Sequence, residues 1–144
     1  MIRLVAVLLC AGLLLGACGS ISPSKAMTTW ATQSGFVANT KSIRSDVKHA
    51  ATALRDSTSS NALLRTVCAV LDLDTEQANA ALPTPDGQAT NLMSKAFAAL
   101  GAGAVECYGA STNVARRAKA LLSLSSGAAY LAEASARVAS VTTP

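Results

Sequence analysis

Residues 61–108 decide the fold, and they read NALLRTVCAVLDLDTEQANAALPTPDGQATNLMSKAFAALGAGAVECY. Two stretches with helical spacing of apolar residues flank Pro83–Gly87, a segment that holds two prolines and one glycine. Proline lacks a backbone N–H and disfavours a helical conformation in the residue before it, so no helix continues through this segment. The sequence therefore predicts two helices joined by a short turn.

The rest of the chain adds one predicted helix on each side of this pair. The chain is rich in alanine and only 3% aromatic, a composition that favours helices over strands. The first helix is expected over about residues 24–56, with Gly35 and the Asn39–Thr40 pair as its weak points. The last helix carries an apolar stripe at nearly heptad spacing, formed by Val114, Leu121, Leu124, Ala128, Leu131 and Val138. Four helices with short connections predict an all-α, up-down-up-down four-helix bundle over residues 25–144.

The first 17 residues have the pattern of an export signal. Arg3 supplies a positive charge, and Leu4–Ala17 is an uncharged run of apolar and small residues. As a helix this run would span about 21 Å, which is shorter than a bilayer core of about 30 Å. We therefore expect residues 1–17 to be a signal peptide that is removed, and not a permanent membrane span.

The signal ends in Leu15-Gly16-Ala17-Cys18. These residues resemble the lipobox of bacterial lipoproteins, in which a leucine and two small residues precede the cysteine that is acylated. The resemblance implies diacylglycerol on the Cys18 thiol, cleavage after Ala17, and often a third acyl chain on the freed amine. Residues 18–24 are then the lipidated cysteine and its tether, and the protein is anchored to the cell membrane, facing outside the cytoplasm. An ordinary cleavable signal is the alternative.

Two cysteines remain for the exported domain, because Cys10 leaves with the signal and Cys18 is consumed by the lipid. The midpoint between Cys68 and Cys107 lies at the end of the Pro-rich turn, so an antiparallel helix pair brings them level. In an oxidising compartment this predicts a disulfide between the second and third predicted helices, with two separate buried thiols or a metal site as the alternatives. The pattern of Cys68, the Pro-rich turn and Cys107 also resembles small helical envelope lipoproteins of high-GC Gram-positive bacteria. No known activity comes with that resemblance.

The charge of the exported part is mild. Loss of Arg3 leaves 11 basic and 8 acidic residues, a net charge of +3 that does not favour nucleic-acid binding. Arg116, Arg117 and Lys119 fall in the first turns of the last helix, at the end of the bundle away from the tether, where the helix dipole is also positive. We expect an anion-binding patch there that docks an anionic envelope polymer or an acidic protein partner. Scattered solvated charges are the alternative.

The sequence contains no recognisable catalytic motif. His49 is the single histidine, and no Gly-x-Ser-x-Gly, His-Glu-x-x-His or phosphate-loop pattern is present. Asp72-x-Asp74-x-Glu76 lacks the glycine and distal glutamate of a calcium loop, and Asp74 at a helix kink or cap explains it better. We therefore predict no catalytic residue, no metal and no cofactor.

These features predict a lipid-anchored, non-catalytic cell-envelope protein that acts as a binding or interaction module. The alternative is a carrier or sensor that holds an apolar ligand, such as a lipid or haem, within the bundle. In that case Tyr108, Tyr130 or His49 would serve as the polar handle.

Overall fold

The computed structural model describes residues 21–143. In chain order its helices are α1 (Pro23–Gln33), α2 (Phe36–Arg55), α3 (Asn61–Asn79), α4 (Gly87–Tyr108) and α5 (Val114–Thr142). The prediction of an all-α fold is confirmed, since the segments between the helices within residues 21–143 are turns and short coil without a strand.

The predicted count of four helices is wrong, because the first predicted helix is two helices. Gly35 has a φ of +63°, in the left-handed region that glycine adopts at little cost and through which a right-handed helix does not run. As a result α1 ends at Gln33 and α2 begins at Phe36. The Asn39–Thr40 pair, the other expected weak point, lies within an unbroken α2.

The short helix α1 crosses one end of the bundle formed by the other four helices. The Ser24 hydroxyl donates to the carbonyl of Thr142 at 3.3 Å, and the Trp30 indole N–H donates to the carbonyl of Ala81 at 2.9 Å. Met27 is fully buried between these two contacts. We call this the α1 end of the bundle, and we call the opposite end, where α5 begins, the far end.

Polar side chains cap the starts of α1, α3, α4 and α5. Ser22, Ser60, Asp86 and Asn113 each accept a hydrogen bond from the backbone N–H three residues later, at the N-termini of α1, α3, α4 and α5. Such caps satisfy N–H groups that have no partner within the helix. One of them, Asp86, lies in the Pro-rich turn that the sequence predicts.

The predicted disulfide between Cys68 and Cys107 is confirmed, and it joins α3 to α4. It therefore links the third and fourth helices of the chain and not the second and third, because the break at Gly35 adds one helix before it. The two Cα atoms are 5.9 Å apart, within the range that a disulfide spans without backbone movement. Both cysteines are fully buried, so the bridge is part of the core.

Two glycines allow α4 and α5 to pack closely along their length. A Cβ added to Gly103 would lie 2.7 Å from Cδ2 of Leu124, and one added to Gly127 would lie 2.6 Å from Cγ of Leu100. Those two leucines are themselves buried. The space between these helices is therefore filled by their own side chains, and it has no room for a group as large as haem.

Val114, which the helical spacing places on the apolar stripe of the last helix, is exposed in the structure. It is the first residue of α5 and lies at the far end of the bundle. The helical period predicts the face of a residue but not where the partner helix stops.

Candidate binding site

A groove at the α1 end lies between the N-terminal half of α2 and the last turns of α5, with the end of α1 as its third wall. Its volume is about 480 Å³, within the range of small-molecule binding sites. The ten residues that line it are Ala31, Phe36, Val37, Thr40, Lys41, Arg44, Ser135, Val138, Ala139 and Thr142. The groove is thus mainly apolar, with two basic residues and no acidic residue among the ten.

The break at Gly35 creates this groove. Because α1 turns away there, the first turn of α2 is not covered by a preceding helix, and Val37 remains 77% exposed. Phe36 is held in place by Trp30 of α1, whose ring centroid is 5.5 Å away. On the opposite wall the short side chain of Ala139 leaves the space open.

The basic side of the groove consists of Lys41 and Arg44, which are three residues apart and therefore neighbours on one face of α2. The Arg44 guanidinium donates to the Ser135 hydroxyl at 3.1 Å, which ties α2 to α5. Neither cation belongs to any of the three ion pairs found within residues 21–143. Two positive charges therefore face the groove without an acidic partner.

The three residues of the predicted anion-binding patch all lie at the far end, but their surroundings differ. Arg116 and Lys119 are exposed, and both bind the carboxylate of Glu106 on α4, at 3.0 and 2.6 Å. Hydrogen bonds from Lys119 and Arg116 lower the pKa of Glu106 below its ordinary value. One carboxylate therefore already balances part of their charge, and anion binding by these two residues stays a prediction.

Arg117 differs from the other two residues because it is buried, with only 9% of its surface exposed. Its guanidinium donates to the carbonyls of Leu54, Asp56 and Ser111. The carbonyls at the end of α2 carry the negative end of the helix dipole, so a cation there is stabilising. Arg117 thus closes the end of α2 and holds the loop before α5, and its part in an anion-binding patch stays a prediction.

The remaining polar residues that the sequence singles out are not brought together. His49 is exposed on α2, as expected of a surface histidine. Asp74 lies within α3 and caps neither of its ends, so the interpretation as a cap is wrong. Its carboxylate accepts a hydrogen bond from the Ser42 hydroxyl at 2.7 Å. Within residues 21–143, no group of three or more histidine, cysteine, aspartate or glutamate side chains is placed to hold a metal ion.

The lipid attachment predicted at Cys18 and the signal peptide predicted at residues 1–17 lie outside the described residues. None of the helices between residues 21 and 143 combines the length and the apolar character needed to cross a bilayer.

Comparison with protein-family models, with curated proteins and with solved structures finds no match to this chain.

The groove is the feature that sequence reasoning missed. Its signal is present in the sequence. Val37, Lys41 and Arg44 follow the helix-breaking Gly35, and they are four and three residues apart, which puts them on one face of a helix. A helix interrupted at Gly35 leaves that face uncovered, whereas a continuous helix gives no reason to single it out.

Proposed function

We propose that this chain is a lipid-anchored, non-catalytic cell-envelope protein that acts as a binding module, and that the groove between α1, α2 and α5 is its binding site. The lipobox residues Leu15–Cys18 after an export signal support the anchor. The observation that carries the binding function is the groove itself, an apolar space of about 480 Å³ with two basic residues that have no acidic partner.

A carrier that holds its ligand inside the bundle is less well supported. Helices α4 and α5 approach so closely at Gly103 and Gly127 that neither glycine could carry a methyl group without a shift of its neighbours. Leu71 and Leu131 in the core are at most 1% exposed. We therefore place the ligand site at the surface groove and not in the interior.

Native mass spectrometry of the mature protein from its own membrane tests the binding function. Ala139 is exposed in the groove, so Ala139→Phe fills the space without disturbing the core. Ala136→Phe is the matched control, because Ala136 is exposed on the same helix but does not line the groove. We expect a retained non-covalent mass that Ala139→Phe removes and Ala136→Phe keeps. A mass retained equally by both variants, or no retained mass in any of the proteins, contradicts the function.

A further inference from the structure

The groove has apolar residues on both of its long walls. Phe36 and Val37 on α2 face Val138 and Ala139 on α5, so an extended apolar ligand between them is covered from both sides. Val37 is a large apolar side chain that is 77% exposed in the structure, and a chain in the groove would remove part of that surface from water.

The two basic residues of the groove favour a ligand with an acidic head group. Lys41 and Arg44 are exposed, and neither forms an ion pair within residues 21–143. A guanidinium presents a fork of donors that fits carboxylate and phosphate oxygens, and a lysine one turn away adds a second charge. The groove between α3 and α4 differs in this respect, because Asp72 lines it and no basic residue does. The groove at the α1 end thus combines apolar walls with two positive charges that form no ion pair within residues 21–143.

The position of the groove places it near the membrane. Thr142 lines the groove, and its carbonyl accepts the hydrogen bond from Ser24. Ser24 follows Cys18 by six residues, which cannot span more than about 20 Å even when fully extended. If Cys18 carries the anchor, the groove lies within that distance of the lipid surface.

We propose that the groove binds an anionic acyl lipid of the adjoining bilayer, with one hydrocarbon chain between α2 and α5 and the acidic head group at Lys41 and Arg44. This inference rests on the proposed function, because it names the ligand of the same site. The lipid enters from the α1 end, and α1 with Phe36 forms the side of the site that faces the tether.

Trp30 provides a reporter for this site. It is the only tryptophan of the chain, and its ring lies 5.5 Å from the ring of Phe36, which lines the groove. The mature lipoprotein is reconstituted into phosphatidylcholine vesicles that contain a small fraction of lipid with brominated acyl chains, which quench tryptophan at short range. The brominated lipid is phosphatidylglycerol in one series and phosphatidylcholine in the other.

We expect the anionic lipid to quench Trp30 at about tenfold lower mole fraction than the zwitterionic lipid, a difference of about 1.4 kcal/mol that two exposed charge contacts can supply. Lys41→Glu with Arg44→Glu should remove this preference. Arg55→Glu should keep it, because Arg55 is exposed at the other end of α2, about 16 Å along the helix from Arg44. Equal quenching by the two lipids, or equal loss in the Arg55 variant, overturns the proposal.

Ala139→Phe separates a lipid in the groove from a lipid under the protein surface. If it abolishes the preferential quenching while Ala136→Phe retains it, the chain lies in the groove; if neither variant changes it, the lipid only touches the surface and the proposal is wrong. A mass in the native spectrum that Ala139→Phe removes, without any preference for the anionic lipid, would leave the binding function standing and refute the lipid class alone.

Discussion

The substitution Arg117→Met tests whether two adjacent arginines at the start of α5 have different roles. The Arg117 Nε donates to the carbonyl of Ser111 at 2.6 Å, and its Nη1 donates to the carbonyls of Leu54 at 3.2 Å and Asp56 at 2.8 Å. Methionine retains much of the aliphatic stem but removes all three donors. The carbonyls at the end of α2 then lose their capping cation.

The magnitude follows from the burial of each hydrogen bond. A hydrogen bond to a charged group contributes about 1.5–3 kcal/mol, and the bond to the Leu54 carbonyl is the buried one. The Asp56 and Ser111 carbonyls are only partly buried and regain water, so we assign each about 0.5 kcal/mol. The expected loss in free energy of unfolding is about 3 kcal/mol, which lowers Tm by roughly 10 °C in a domain of this size.

Arg116→Met is the matched control, because it removes the same type of side chain one residue earlier. The Arg116 side chain is 46% exposed, its hydrogen bond to the carbonyl of Gly109 at 3.2 Å is also exposed, and its partner Glu106 keeps the contact with Lys119. An exposed ion pair contributes at most about 1 kcal/mol, so we expect a loss below that value. Urea unfolding followed by far-UV circular dichroism measures both variants with the disulfide intact. Equal losses in the two variants would refute the capping role of Arg117.

Three further predictions concern the anchor, the bridge and acid stability. Cys18→Ala should abolish labelling with a fatty-acid probe, and a variant that is still labelled and processed normally would contradict the lipoprotein assignment. Replacing both Cys68 and Cys107 by alanine should lower the free energy of unfolding by about 4 kcal/mol, because the bridge closes a loop with a sequence separation of 39; a reductant should destabilise the wild type similarly and leave the double variant unchanged in urea unfolding. Hydrogen bonds from Arg137 and from the N-terminus of α4 lower the pKa of Asp86 to about 2. The ionised Asp86 carboxylate therefore stabilises the folded protein above about pH 4, and this contribution is lost as pH falls from about 4 through about 2. Asp86→Asn keeps the helix cap and should weaken this part of the pH dependence in urea titrations; an unchanged acid profile would show that the pair with Arg137 does not contribute.

The sequence predicts most of the fold because its strongest local signals agree with the tertiary contacts. Pro83 lies between α3 and α4, Gly87 begins α4, and the midpoint of Cys68 and Cys107, which falls at the end of the Pro-rich turn, predicts the pairing of these two helices. Gly35 is visible as a weak point, but its φ of +63° depends on α1 docking across the bundle through contacts such as the one between Trp30 and Ala81. A pattern of local propensities does not contain that contact, which joins residues 51 positions apart.

The sites are harder to predict for a related reason. Arg116 and Arg117 are equivalent in a charge pattern, yet successive residues on a helix point about 100° apart, so one faces solvent and the other faces the end of α2. Which of the two is buried depends on how α5 is rotated against its neighbours. The groove likewise requires the knowledge that α2 and α5 converge at the α1 end, which no single helix encodes.

The close contact of α4 with α5 also predicts that amide hydrogens exchange at different rates in different helices. Backbone amides of α4 and α5 near Gly103 and Gly127 pack against the opposite helix, so we expect them to exchange at the rate of global unfolding. Helix α1 is short and joins the bundle mainly through Met27 and two long-range hydrogen bonds, so we expect it to open at a lower free energy. The junction of α1 and α2 forms part of the groove, so a bound ligand should slow amide exchange at that junction.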